Sequence, residues 1–134
     1  MLDPLDPMDD ELFGSVSDDV IRGGDGNDTL KGYEGDDKLY GDSGDDKIVG
    51  GDGDDSLDGG DGNDEISGGD GDDVLYGGDG NDILDGGGGI DAIFGGSGDD
   101  IIRLGAKNTD LSQRLDQIVD AGDGDDNISI ADSG

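Results

Sequence analysis

The chain has 134 residues, only 28% of them apolar, and its 38 acidic residues against 7 basic ones give a formal charge of -31. So little apolar surface with so much like charge excludes an ordinary globular core, leaving a disordered polyanion or a chain ordered by cations. It also removes nucleic acid and anionic membrane as partners, since both need a basic patch. Cysteine and histidine are absent, and no apolar run approaches membrane-spanning length, so disulfides, thiolate or imidazole metal sites and membrane insertion are excluded as well.

Residues 1–13 are acidic, contain Pro4 and Pro7, and lack the basic and apolar regions of a secretory signal peptide. They read as a mobile leader, with Leu12 and Phe13 placed to cover the first coil of the repeats that begin at Gly14.

Residues 14–103 divide without insertion into ten nine-residue units: GSVSDDVIR, GGDGNDTLK, GYEGDDKLY, GDSGDDKIV, GGDGDDSLD, GGDGNDEIS, GGDGDDVLY, GGDGNDILD, GGGGIDAIF and GGSGDDIIR. Position 1 is Gly, position 6 Asp and position 8 Ile or Leu in all ten; position 4 is Gly in all but the first, where Ser17 stands. Unpatterned low complexity does not hold three positions through so many copies, so this is a repeat architecture.

Positions 1–6 have turn chemistry, because Gly supplies positive φ and Asp and Asn tolerate it. Positions 7–9 form a short strand with position 8 inward and positions 7 and 9 outward. Lys31, Lys38, Lys47, Asp58, Glu65, Asp85 and Arg103 all occupy outward positions, and no Lys or Arg lies in a turn. A nine-residue unit is too short for a crossover helix, so successive strands fall on opposite sheets and equivalent turns stack two units apart. Ten units make five coils, about 24 Å long at a strand spacing of ~4.8 Å. The interior row is Ile21, Leu30, Leu39, Ile48, Leu57, Ile66, Leu75, Leu84, Ile93 and Ile102.

That one row is too small to offset the ordering of ninety residues, and stacked carboxylates repel one another, so the fold requires counter-cations. The donors are carboxylates, carbonyls and a few Asn amides, all hard oxygens. They suit Ca²⁺, which accepts six to eight oxygens in flexible geometry, better than Mg²⁺, Zn²⁺ or Cu²⁺. An EF-hand is excluded, because Ile128 and Ile66 stand where its loop needs Gly.

Between residues 104 and 120 the repeat fails; an eleventh copy, AGDGDDNIS, stands apart at 121–129, one residue out of phase. Leu111, Leu115, Ile118 and Val119 have helical spacing with Asp110 as an N-cap, although the same residues also suit irregular strands. In either form residues 104–134 read as a capping segment over the open apolar end. One outer face carries Tyr40, Tyr76 and Phe94 at position 9, joined by Val74 and Ala92. Strand propensity and cover from the cap account for these residues; the alternative is a docking surface for a partner or a parent-protein domain.

The units resemble the nonapeptide G-G-x-G-x-D-x-U-x, with U aliphatic, of the RTX (repeats-in-toxin, haemolysin-type) calcium-binding proteins. GGDGNDTLK, GGDGDDSLD and GGDGDDVLY agree at every specified position. The resemblance implies an all-β fold, a right-handed parallel β-roll (a two-sheet β-solenoid), with Ca²⁺ held between neighbouring turns. It also implies secretion by bacteria to the exterior or cell surface, often by type I export.

Carried over by position, the first ligands are the position-6 carboxylates Asp28, Asp37, Asp46, Asp55, Asp64, Asp73, Asp82, Asp91 and Asp100. Position 5 is next, with Asn27, Asp36, Asp45, Asp54, Asn63, Asp72, Asn81 and Asp99. Asp18 and Asp19 of the first unit and Asp125 and Asp126 of the eleventh complete the set, with turn carbonyls filling each shell. Odd turn positions are expected to serve one ion and even positions the next, with up to about eight interior sites, four gaps on each edge. The first unit, lacking two glycines, and the ninth, with Ile90 at position 5, are expected to be weak.

The function expected is a calcium-binding module that folds on Ca²⁺ and stabilises a secreted protein, not an enzyme, since the repetition of the acids favours ligands over catalysis. A calcium-stiffened spacer or adhesion module is one alternative, and a carrier domain of a secreted enzyme whose catalytic part lies elsewhere is another.

Overall fold

A computed structural model of the chain describes residues 8–105 and 118–130. Those residues form thirteen strands and no helix: β1 (Glu11–Phe13), β2 (Val20–Asp25), β3 (Thr29–Glu34), β4 (Lys38–Ser43), β5 (Lys47–Asp52), β6 (Ser56–Asp61), β7 (Glu65–Asp70), β8 (Val74–Asp79), β9 (Ile83–Gly88), β10 (Ala92–Ser97), β11 (Ile101–Leu104), β12 (Ile118–Asp123) and β13 (Asn127–Ile130). Odd-numbered strands make one seven-stranded sheet and even-numbered strands a six-stranded one, every pairing parallel. Successive strands alternate between the sheets, as a nine-residue unit demands, and the chain is a parallel β-roll.

The register is constant. Leu30 pairs with Ile48 and Leu39 with Leu57, each two units on, and the same step holds throughout the array. Position 8 points inward in each unit, and the row from Leu30 to Ile102 is at most 1% exposed. Ile21 is only partly buried and packs against this core from its N-terminal end. Strands β2 to β10 and β12 are six residues long where three were expected. Positions 1–3 of the following unit extend each of these strands, so the true corner is only positions 4–6. Position 2 permits this by taking positive φ, as Gly51 does at 134°.

Both ends depart from the expected boundaries. Leu12, placed in the leader, is buried in the core, and β1 pairs with β3. The leader thus contributes a strand from its last residues, because Asp10 and Leu12 hold positions 6 and 8 of a degenerate unit. Phe13 rests against Tyr33 with ring centroids 6.3 Å apart, and Lys31 lies over its face. At the other end, Ile118 and Val119 belong to a strand, not to a helical cap: β10 pairs with β12, and β11 with β13, across a longer stretch of chain than any earlier pair. The eleventh copy is therefore stacked on the roll with an insertion before it, and is not isolated. Leu111, Leu115 and Asp110 lie outside the described residues.

On the outer face Tyr76 and Phe94 stack at 5.0 Å and 11°. Asp58 separates them from Tyr40, which Arg22 covers at 4.3 Å, so the aromatic row is divided in two.

Candidate metal centres

The turns stack into two edges. Turns of even-numbered units lie on one, the even edge; turns of odd-numbered units lie on the other, the odd edge. Every N–H and C=O in so tight a corner needs a partner, and the position-5 and position-6 side chains provide many of them. The Asp46 N–H donates to Asp64 Oδ1 at 2.8 Å, and the Asp55 N–H to Asp73 Oδ1 at 2.9 Å. In each case the position-6 carboxylate reaches back to the preceding coil. Position 5 reaches the opposite way: the Asp54 N–H donates to Asp36 Oδ1 at 2.9 Å, and the Asn63 N–H to Asp45 Oδ1 at 2.8 Å. The two candidate rows thus form two ladders running in opposite senses along each edge.

Their surroundings differ sharply. Position-5 side chains from Asn27 to Asp99 are exposed wherever they are Asp or Asn. The nine position-6 carboxylates from Asp28 to Asp100 are at most 2% exposed. Each uses Oδ1 in the ladder, and each leaves Oδ2 buried without a hydrogen-bond partner. An unpaired buried carboxylate oxygen is costly, and nine in identical places are suited to a cationic partner.

The space beside each Oδ2 exists because position 1 is glycine. A Cβ built on Gly50 would collide with Asp55 Oδ2 and lie 2.6 Å from the Gly68 carbonyl oxygen of the next coil. Position 1 does not need positive φ; it needs the absence of a side chain, so that a carboxylate and a carbonyl from the next coil converge there. The strand registers also pass over position 1, pairing Lys31 with Val49 and then Tyr33 with Gly51.

Electrostatics point the same way. Burial, opposed by the amide hydrogen bond and reinforced by neighbouring carboxylates, raises the position-6 acids to about 6 at Asp46, Asp55 and Asp82 and about 7 at Asp64 and Asp73. Asp28, Asp37, Asp91 and Asp100 are raised by burial as well. Without a cation the fold holds these groups against their ionised form.

The donor set fits Ca²⁺: an ionisable oxygen, a main-chain carbonyl close by and no nitrogen or sulfur. Among the described residues no three carboxylates converge on one point, so carbonyls must supply much of any coordination shell.

The first unit is different. Ser15 donates from its N–H at 2.6 Å and its Oγ at 2.9 Å to Asp19 Oδ2, so the oxygen left bare elsewhere is already paired. In the sequence Ser15 reads only as a lost glycine; its hydroxyl at position 2 is the one signal there, and the shorter bond comes from a main-chain N–H that no residue type marks.

A family profile for the RTX calcium-binding nonapeptide repeat matches the chain in overlapping copies: 7–39, 31–66, 40–75, 49–84, 58–93 and 76–108. The chain belongs to this family. Its calcium-binding β-roll is the architecture found here, and the matched span begins before the ten regular units, in keeping with the degenerate unit that supplies Leu12. RTX repeat proteins are typically secreted by bacteria. A search of curated proteins gives no match, and no helix among the described residues is long and apolar enough to cross a membrane.

Proposed function

We propose that this RTX roll is a calcium-dependent folding and structural module of a secreted bacterial protein, unfolded where calcium is scarce and ordered outside the cell. The nine buried, unpartnered Oδ2 atoms carry this reading. Position-6 carboxylates and position-1 carbonyls would hold the ions, with position-5 oxygens of the turns assisting. Bound Ca²⁺ neutralises the stacked acids and links consecutive coils, so binding and folding form one transition. The repeated acids act as ligands, and the module itself performs no reaction.

Far-ultraviolet circular dichroism of metal-free chain, titrated with Ca²⁺ and separately with Mg²⁺, tests this. A cooperative coil-to-β transition with Ca²⁺, at concentrations where Mg²⁺ has little effect, is expected. Full β-structure at neutral pH before any metal is added would refute it.

A further inference from the structure

We propose that position 5 grades the ion sites. The gap between turns 50–55 and 68–73, bounded by Asp54 and Asp72, is a strong site that favours cations of higher charge. The gap between turns 59–64 and 77–82, bounded by Asn63 and Asn81, is a weak one. This inference rests on the calcium reading above and concerns how tightly individual gaps hold the ion.

The two gaps have the same cradle. In the first, Asp55 Oδ2 is bare, and the Gly68 carbonyl oxygen lies 2.6 Å from the vacant Cβ site of Gly50. In the second, Asp64 Oδ2 is bare, and the Gly77 carbonyl oxygen lies 2.6 Å from that of Gly59. Position 3 is aspartate in all four turns, at Asp52, Asp70, Asp61 and Asp79.

Position 5 separates them. Its side chain bridges each gap: the Asp72 N–H donates to Asp54 Oδ1 at 2.9 Å, and the Asn81 N–H to Asn63 Oδ1 at 2.8 Å. A single oxygen makes this bond in either residue, so the ladder does not choose between Asp and Asn. What changes is the charge, two carboxylates at one gap and two neutral amides at the other. Those charges reach the ligands. Burial does most to raise both Asp55 and Asp64; of the position-5 carboxylates that add to it, Asp36 and Asp54 act on Asp55, and Asp45 acts on Asp64. Charges on the sheet faces leave the difference standing. The strand positions flanking the first gap are Val49, Ser56, Ser67 and Val74. Beside the second, Lys47 answers Glu65 at 3.3 Å, and Asp58 lies within reach of Arg22. A carboxylate roughly 7 Å from a divalent ion changes its affinity about two- to eightfold, the larger figure at low salt, and a trivalent ion gains more.

Terbium exchange tests this, because a trivalent ion of hard-oxygen preference can be located gap by gap. Crystals of the calcium-loaded chain are soaked at low salt in terbium short of saturation, and anomalous scattering at the terbium edge is measured. The gap at Asp54 and Asp72 is expected to exchange roughly tenfold more readily than the gap at Asn63 and Asn81. Equal exchange, or more in the second gap, would overturn the proposal. In solution, Asp54→Asn with Asp72→Asn keeps the ladder and should raise the calcium needed for half-folding. Asp61→Asn with Asp79→Asn removes as much charge from position 3 and should raise it less. Equal rises would mean that net charge alone matters, and would overturn the role of position 5; if the first variant fails to fold, the crystal comparison still decides. A chain that orders with calcium but exchanges terbium evenly keeps the module reading and loses the grading. A chain that binds no calcium loses both.

Discussion

The interior of the roll and its edges come from the same nine-residue repeat, yet only one of them is finished by the polypeptide. Each position-8 side chain from Leu30 to Ile102 meets like neighbours from the coils on either side and is sealed from water. Each position-6 carboxylate is sealed equally well, two residues earlier, and ends with one oxygen unpaired. Burial is favourable for the aliphatic row and unfavourable for the acid row, and the fold enforces both at once. The core therefore cannot form without imposing the edge penalty. A cation that relieved the penalty would control the whole roll.

The largest way to break this comparison is to remove the penalty without metal. Position-6 acids raised to about 6 or 7 bind protons more tightly in the roll than in the unfolded chain, whose carboxylates titrate near 4. The sign is set by that difference: stability of the metal-free roll rises as pH falls from about 7 towards 4, and is lost as pH rises through the folded values. Metal-free chain is expected to gain β-structure between pH 7.5 and 5, above the isoelectric point near 4.1, with dichroism as the measure. The same pH change in saturating Ca²⁺ should weaken the roll, because protons then compete with the ion. No pH response in the metal-free chain would mean that the edges impose no penalty.

Next in size are substitutions that injure one row and spare the other. Leu57→Ala leaves every ligand in place and should cost about 2–5 kcal/mol at saturating calcium, measured by urea unfolding. Gly59→Ala leaves the core intact but sets a methyl group where Asp64 Oδ2 and the Gly77 carbonyl converge. It should raise the calcium needed for half-folding roughly tenfold or more, a change of about 1.4 kcal/mol or greater, while losing one bound ion. If Gly59→Ala merely lowered urea stability at unchanged ion count, the cradle assignment would fail.

Legibility in the sequence depends on which physics leaves a periodic trace. Alternation along strands and the invariance of positions 1, 6 and 8 lead directly to the paired sheets, the two-unit register, the core row and the acids that prove to be buried. Non-periodic residues are harder. Leu12 reads as cover for the first coil but not as the inward residue of a paired strand, because Asp10 and Leu12 occur without any accompanying glycine, and one aspartate and one leucine carry little information. Ile118 and Val119 fit helical spacing as well as strand spacing, and only the pairing of β12 with β10 decides between them. Turn chemistry groups the glycines together, although position 1 excludes a side chain and positions 2 and 4 supply positive φ. That difference depends on what approaches from the next coil, which lies two units away and is invisible within one unit.

The smallest expected effect tests whether local strain matters beside these larger effects. Position 2 is glycine in most units, but Tyr33 and Asp42 hold φ of 89° and 74° there. A side chain in that region costs about 1–2 kcal/mol, and each has compensation. Tyr33 packs against Phe13 of β1, while Asp42 accepts from Arg22 at 2.9 Å on an exposed surface. Replacing Tyr33 by Gly relieves the strain but removes a ring contact worth roughly 0.5–1.5 kcal/mol and adds chain entropy of about 0.5–1 kcal/mol. The terms nearly cancel, so Tyr33→Gly should change stability by less than about 1 kcal/mol. In a Phe13→Ala background the ring contact is already gone, and the same replacement should become more favourable by about the worth of that contact. A double-mutant cycle with urea unfolding in saturating Ca²⁺ measures the difference. Zero coupling would mean that the aromatic pair does not hold β1 on the roll, and that Leu12 alone anchors the first strand.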